Sequence, residues 1–244
     1  MNRNAAVIIV GNEILSGRTR EANAYFLAKQ CSMLGIRLKR VCVIPDEVDT
    51  IVAAVNALRA EWDYVIVCGG IGPTPDDVTR PAVAKAFGVP CEPHAEAVAL
   101  LQHHYGERST PRRMVMAELP RAAELIDNPV TIAPGFRLEN VFVLPGIPEL
   151  VEAMFPQIAA QMEHGVLLER ELHVAIGESE FADLMEEAGR LFPEVELGSY
   201  PKMGAGTWRC SLVIKSHDAE QMDQAFDWLE SALNERTATL KGSR

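Results

Sequence analysis

The chain has 244 residues, 48% of them hydrophobic, and carries 34 Asp or Glu against 23 Lys or Arg for a net charge of -11. That length suits one large domain, or a large and a small one, with ample apolar content for a core. The acidic balance argues against a general affinity for nucleic acid or an anionic membrane. No stretch approaches the roughly 18 apolar residues of a membrane span, and the apolar part of MNRNAAVIIVGNE is too short for a signal peptide. The five cysteines, Cys31, Cys42, Cys68, Cys91 and Cys210, are far apart and include no C-x-x-C pair. A cytoplasmic protein with buried, unpaired thiols is expected.

Ala5 to Val10 is a continuous apolar run ending at Gly11, the pattern of a strand buried on both faces of a parallel sheet. The loop GNEILSG, Gly11 to Gly17, carries one acid, Glu13. From Thr19 the positions Ala24, Leu27, Ala28, Cys31 and Leu34 follow helical spacing and stop at Gly35, a natural residue just past a helix end. Ile36 to Ile44 reads as a second strand, after which Pro45-Asp46 opens a helix with Val48, Ile51, Val52, Val55 and Leu58 on one face. Asp46 suits the N-cap of that helix, worth about 1 kcal/mol. It also stands at a strand end, where an open α/β sheet places its ligands.

Tyr64 to Val67 is a third apolar run, followed by CGGIGPTPDDVTR, Cys68 to Arg80, and then by a helix with Pro81 in its first turn and Gly88 at its end. Gly69, Gly70 and Gly72 let the backbone approach a ligand and tolerate positive φ, and amides in such a turn, with the helix start behind them, receive a phosphate or another anion. The plainer reading is a tight turn with an aspartate capping the helix. Asp76 and Asp77 lie where the anion would sit, so the loop implies a metal ion between carboxylates and phosphate.

A helix over Pro93 to Tyr105 follows. Its adjacent His103 and His104 point about 100° apart and cannot chelate one metal. Arg108, Arg112 and Arg113 lie on a loop or short helix, either reaching toward a substrate phosphate or forming a solvated face. Glu124 to Asp127 and Thr131 to Phe136 read as short extended pieces. Val141 to Leu144 is a strand running into PGIPE, Pro145 to Glu149, before a helix with Leu150, Met154 and Ile158 inward. Strands alternating with helices as far as His164 predict a mostly parallel three-layer α/β/α sandwich, with ligands at the carboxyl ends of its strands.

The pattern then changes. Glu171 to Ile176 reads as a strand, Ser179 as the cap of a helix with Phe181, Leu184, Met185, Ala188 and Leu191 on one face, and Val195 to Tyr200 as another strand. A Gly204-x-Gly206 turn leads to strict alternation of Trp208, Cys210, Leu212 and Ile214, and Asp218 caps a last helix. This is a small α+β unit of βαββα order, and the predicted domains are 1–166 and 167–244. From Arg170 onward eight Lys or Arg stand against fourteen Asp or Glu, which speaks against a nucleic-acid role.

GNEILSG with Asn23, VIPDE around Asp46, GGIGPTPDDVT, APGF and LPGIPE together resemble the MoaB/Mog-type molybdopterin-binding domain, over most of residues 4 to 163. More narrowly they resemble the CinA N-terminal (competence/damage-inducible) branch, itself similar to the N-terminal part of eukaryotic FAD synthases. A deamidase domain like that of full-length CinA proteins is not expected. The resemblance implies that Asp77 and Asp46 match the two family aspartates of metal-dependent adenylyl transfer to molybdopterin. Ile71 replaces a threonine of the Mog loop, and Asp76 adds an acid where Mog-like loops carry a basic residue.

Those departures point toward the activity associated with CinA-type domains, metal-dependent hydrolysis of ADP-ribose and related nucleotide diphosphates. The site so implied has Asp46 and Asp77 as catalytic groups and Asp76, Asp77 and Asp46, with Glu13 as a substitute, around a divalent ion such as Mg2+. Gly11, Glu13, Asn23, Gly69, Gly70, Gly72, Thr74, Thr79, Pro145, Gly146, Pro148 and Glu149 would contact substrate. The alternatives are molybdopterin binding or adenylyl transfer, and a non-catalytic nucleotide-binding regulator. A small nucleotide or pterin ligand and a homo-oligomer are the expected partners, with neither nucleic acid nor membrane.

Overall fold

The computed structural model describes residues 3–204 and 207–242. The chain divides into two compact units, Met1–Gly165 and Val166–Arg244. In the first unit the elements run β1 (Arg3–Val10), α1 (Asn12–Leu15), α2 (Asn23–Met33), β2 (Ile36–Ile44), α3 (Val48–Glu61), β3 (Tyr64–Cys68), α4 (Thr79–Phe87), β4 (Cys91–Pro93), α5 (Ala95–Tyr105), α6 (Pro111–Met114), β5 (Glu118–Pro120), β6 (Glu124–Ile126), β7 (Gly135–Leu138), β8 (Val141–Leu144) and α7 (Pro148–Ala159). Six of the strands form a sheet in the order β2-β1-β3-β8-β7-β6. The first four are parallel and β7 and β6 antiparallel, so the sheet is mostly parallel.

Alternation along the strands sorts the core into two layers. Ala6, Ile8 and Val10 pack with Val65 and Val67 against Ile51, Val55 and Leu58 of α3 and Ala82 and Val83 of α4. Ala5, Val7 and Ile9 face the other way, with Ile66, Phe142 and Leu144, onto Leu27 and Cys31 of α2 and Val151, Met154 and Ile158 of α7. Two helical layers therefore enclose the sheet, which explains why the central strands are apolar on both faces. Fully burying one such side chain contributes about 1.5–3 kcal/mol.

Several local expectations change. The helix expected from Thr19 starts at Asn23, with a four-residue helix, α1, before it. Asp46 does not cap its own helix: Glu47 is the N-cap residue of α3 and makes no side-chain cap bond. The Asp46 carboxylate instead accepts from the Asn12 amide at 2.7 Å, because β1 and β2 are neighbours and Asp46 sits one position too early to reach the α3 amides. Thr131 to Ala133 is not a strand, and β7 begins only at Gly135. At that glycine a Cβ would lie 2.5 Å from the Val143 carbonyl oxygen.

The second unit contains β9 (Leu168–Val174), α8 (Ala182–Leu191), β10 (Glu196–Gly204), β11 (Thr207–Ser216) and α9 (Ala219–Gly242). Its antiparallel sheet has the order β10-β11-β9, and Leu172, Val174, Cys210, Leu212 and Ile214 pack on Phe181, Ala188, Met222, Ala225 and Leu229. This is the βαββα unit anticipated from the spacing. Ser179 is not the cap of α8, because residues Glu178–Glu180 form a separate 3-10 turn and the helix starts at Ala182. Asp218 does cap α9, accepting from the Glu220 and Gln221 amides at 2.9 and 3.1 Å. The centre of the Gly204-x-Gly206 turn and the side chain of Trp208 lie outside the described residues. No described helix is long and apolar enough to cross a membrane.

Candidate functional site

The carboxyl ends of β1, β3 and β8 converge. The Gly69 amide donates to Leu144 O at 3.1 Å and so continues the β3–β8 ladder by one residue. Gly69 has φ of +106°, and a Cβ there would fall 2.1 Å from Val10 O, so three strand ends meet at a position only glycine fits. Gly146 also packs on this joint, since its Cβ would lie 3.3 Å from Gly69 Cα. Gly69 is therefore a structural joint, and its amide is not available to a phosphate as the sequence suggested.

The loop beyond it opens onto a cavity of about 370 Å³, lined on one side by Gly70, Ile71, Gly72, Pro73 and Asp77 and on the other by Pro145, Gly146 and Ile147. Tyr105, Met116 and Leu150 supply apolar wall. A space of that size suits a mononucleotide-sized ligand. Asn128 shapes the remaining wall: it is 8% exposed, donates to Thr131 Oγ1 and Ala133 O, and accepts from the Val130 and Thr131 amides. Its polar atoms are thereby satisfied within the protein.

Helix α4 begins directly behind the glycine loop. The Thr79 amide donates to Gly70 O at 3.0 Å. The Thr79 side chain is fully buried against Gly70, and its Oγ1 has no partner. Asp77 closes the loop on itself: its Oδ2 accepts from the amide and the hydroxyl of Thr74, while both carboxylate oxygens lie over Gly72. Asp77 is thus a loop clasp whose carboxylate also lines the cavity. Asp76 is exposed and lines neither cavity of this unit.

A second hollow, about 40 Å³, lies among Glu13, Thr19, Glu21, Asn23, Cys68, Gly146 and Pro148. Asn23 is buried, donates through Nδ2 to Gly146 O at 2.8 Å and leaves Oδ1 unpartnered. Gly146 is common to both spaces. Glu13 folds back over Gly11, where a Cβ would be 2.6 Å from its carboxylate. Glu149 is exposed in the first turn of α7 and lines neither space. Burial pushes the Cys68 thiol up, with Glu21 adding to the shift, so Cys68 is a packing residue and not a nucleophile.

The structure thus brings Gly70, Gly72, Asp77, Pro145 and Gly146 to one cavity and Glu13, Asn23, Gly146 and Pro148 to the other. Asp46, Asp76 and Asp77 do not form the expected metal cluster. No group of three or more Asp, Glu, His or Cys suited to an ion exists among the described residues, and both Asp46 and Asp77 are engaged with backbone amides. Of the arginines near Tyr105, Arg113 lies over its ring at 4.7 Å and donates to Arg108 O.

Arg80 is the group that the sequence reading passed over. It is 3% exposed, and its guanidinium donates to Ile71 O and, at 2.9 Å, to Gly72 O. Burial lowers its pKa, with Asp77, Cys91 and Glu118 acting in the opposite direction through space. A signal was present in the sequence: a cation in the first turn of a helix opposes the helix dipole and calls for a local reason.

Residues 6–164 match the family described as "Probable molybdopterin binding domain", and residues 166–240 match "FAD synthase, middle domain". A protein of Archaeoglobus fulgidus is 34% identical over 230 residues, 94% of this chain and 98% of that one. A "Probable FAD synthase" of Caenorhabditis briggsae is 28% identical over 249 residues, 91% of this chain and 48% of that protein. Among solved structures, the protein CinA with unknown function from Thermoplasma acidophilum superposes with a TM-score of 0.62 at 36% identity, covering 66% of this chain and 98% of that one.

Proposed function

The chain belongs to the probable molybdopterin binding domain family and carries a FAD synthase middle domain behind that domain, and from this premise we propose that the first unit binds a phosphate-bearing pterin, molybdopterin or its adenylylated form, in the cavity beside Gly70–Gly72. The observation that carries the proposal is the loop itself. No hydrogen bond engages the amides of Gly70, Ile71 and Gly72 among the described residues, and all three line a cavity of about 370 Å³. Free amides at a glycine turn form an anion receptor. The residues therefore fit the group: the loop amides would hold its phosphate, and Tyr105, Met116, Ile147 and Leu150 would cover its ring.

Asp77 favours a second reading, metal-dependent hydrolysis of a nucleotide diphosphate such as ADP-ribose. Its carboxylate lines the same cavity. A magnesium ion is commonly held by one or two carboxylates together with substrate phosphates, so Asp77 would suffice as a protein ligand without a cluster of three. What such an ion supplies when bound is charge neutralisation on the diphosphate and a lowered pKa for an attacking water. The match to a probable molybdopterin binding domain supports the pterin reading over this one.

The purified protein, with and without magnesium, is titrated with molybdopterin, ATP and ADP-ribose and assayed for products. Saturable molybdopterin binding without AMP release supports the first reading. AMP formation from ADP-ribose that vanishes in Asp77→Asn replaces it with the second. Failure of all three compounds to bind sinks both.

A further inference from the structure

A buried arginine normally has a carboxylate partner, because an unpaired charge in a low-dielectric interior is costly. Arg80, 3% exposed, instead spends its guanidinium on two main-chain carbonyls, Ile71 O and Gly72 O. One step earlier in the loop, Gly70 O is taken by the Thr79 amide at 3.0 Å. Two successive carbonyls, Gly70 and Ile71, are therefore tied to the first turn of α4.

Peptide planarity fixes the consequence. In a trans peptide the N–H points opposite to the C=O of the same unit. Drawing Gly70 O toward Thr79 turns the Ile71 N–H away from α4, and drawing Ile71 O toward Arg80 does the same for the Gly72 N–H. The third tethered carbonyl, Gly72 O, belongs to a unit whose nitrogen is that of Pro73, which has no hydrogen to present. Arg80 thus grips the Ile71 and Gly72 carbonyls while the Ile71 and Gly72 amides carry no internal partner, and the same residues line the cavity.

We infer that Arg80 is a positioning residue for anion recognition: by holding Ile71 O, its buried guanidinium aims the Gly72 amide into the cavity beside the Ile71 amide that the Thr79–Gly70 bond orients, and it places a positive charge beneath them, without touching the ligand. The inference rests on the phosphate-binding reading of this loop. It predicts that the site prefers the more highly charged of two phosphate probes, because a fixed charge in a poorly solvated place acts over several ångströms.

The test uses the full chain, with backbone amide resonances followed during titration with inorganic pyrophosphate. In the wild type the Ile71 and Gly72 amides should shift downfield on saturation, while the Gly69 amide, engaged with Leu144 O, stays in place. Arg80→Lys keeps a charge but cannot hold both carbonyls in one fork, and should weaken pyrophosphate binding about tenfold; Arg80→Met should weaken it further. Thermal melts accompany each variant. A wild type that binds no pyrophosphate overturns the phosphate-binding reading and this inference with it. Pyrophosphate binding in the wild type that leaves Ile71 and Gly72 unshifted, or a folded Arg80→Lys or Arg80→Met with unchanged affinity, overturns the inference alone. Should both variants fail to fold, the wild-type amide shifts decide.

Discussion

The joint at Gly69 makes the sharpest structural prediction. Gly69→Ala places a Cβ 2.1 Å from the Val10 carbonyl oxygen while keeping φ near +106°. A side chain in the positive-φ region costs about 1–2 kcal/mol, and forcing apart a packed backbone contact adds about 1–3 kcal/mol. The expected loss is therefore about 2–5 kcal/mol, a large share of the roughly 5–15 kcal/mol that keeps a domain folded. Gly17→Ala is the matched control: its φ is +71° but nothing lies within 4 Å of the added Cβ, so only the backbone strain, about 1–2 kcal/mol, applies. Urea unfolding of both variants, analysed with a common slope, separates the two contributions. If Gly69→Ala loses no more than Gly17→Ala, the meeting of β1, β3 and β8 at this residue is not the constraint described above.

Gly72→Ala should behave differently, because the atoms nearest the added Cβ are those of the Asp77 carboxylate, at 2.7 Å, and a side chain swings aside more cheaply than a backbone. Stability should fall by less than about 1 kcal/mol, while phosphate binding, measured by calorimetry, should weaken clearly. Asp63 sets an acid-sensitive contact at the far end of β1. Burial pushes its carboxyl up, but the Asn4 amide, at 2.8 Å, and the Arg3 guanidinium, at 2.7 Å, outweigh burial and hold it below the usual range. A depressed pKa contributes stability above the unfolded value, near 3.9, that is lost as pH falls through the folded value. Wild type should therefore exceed Asp63→Asn in melting temperature at neutral pH, and the gap should shrink below about pH 4; a gap independent of pH would show that the ionised carboxylate is not what counts. In Asn23→Ala the bond to Gly146 O is lost. Slower protease cleavage than wild type at residues 145–147, or unchanged cleavage, would argue against Asn23 as the tether of that turn.

The central strands were legible because they are buried on both faces: Ala5–Val10, Tyr64–Cys68 and Val141–Leu144 are nearly unbroken apolar runs with turn residues after them. Gly35 and Gly88 marked helix ends correctly because their left-handed φ, +67° at each, is a local demand that glycine meets. What the sequence did not reveal was settled by partners distant in the chain. Asp46 reads as a cap for its own helix, yet its partner is Asn12, 34 residues earlier, reached only because β2 lies beside β1. The Gly69 amide looks free beside Gly70 until β8 arrives to take it. Aspartates at 46, 76 and 77 read as one metal cluster in a linear motif, but the loop turns Asp76 out and ties Asp77 to Thr74. Arg80 went unnoticed because its two acceptors are main-chain carbonyls, which no side-chain motif encodes.

The most direct test is equilibrium binding of molybdopterin, freshly released from a molybdoenzyme and followed by pterin fluorescence anisotropy, to wild type and to Gly72→Ala. Wild type should bind saturably, inorganic pyrophosphate should compete, and the folded variant should bind clearly more weakly. Binding that pyrophosphate does not displace and Gly72→Ala does not alter would place the ligand elsewhere and contradict the assignment of the glycine loop.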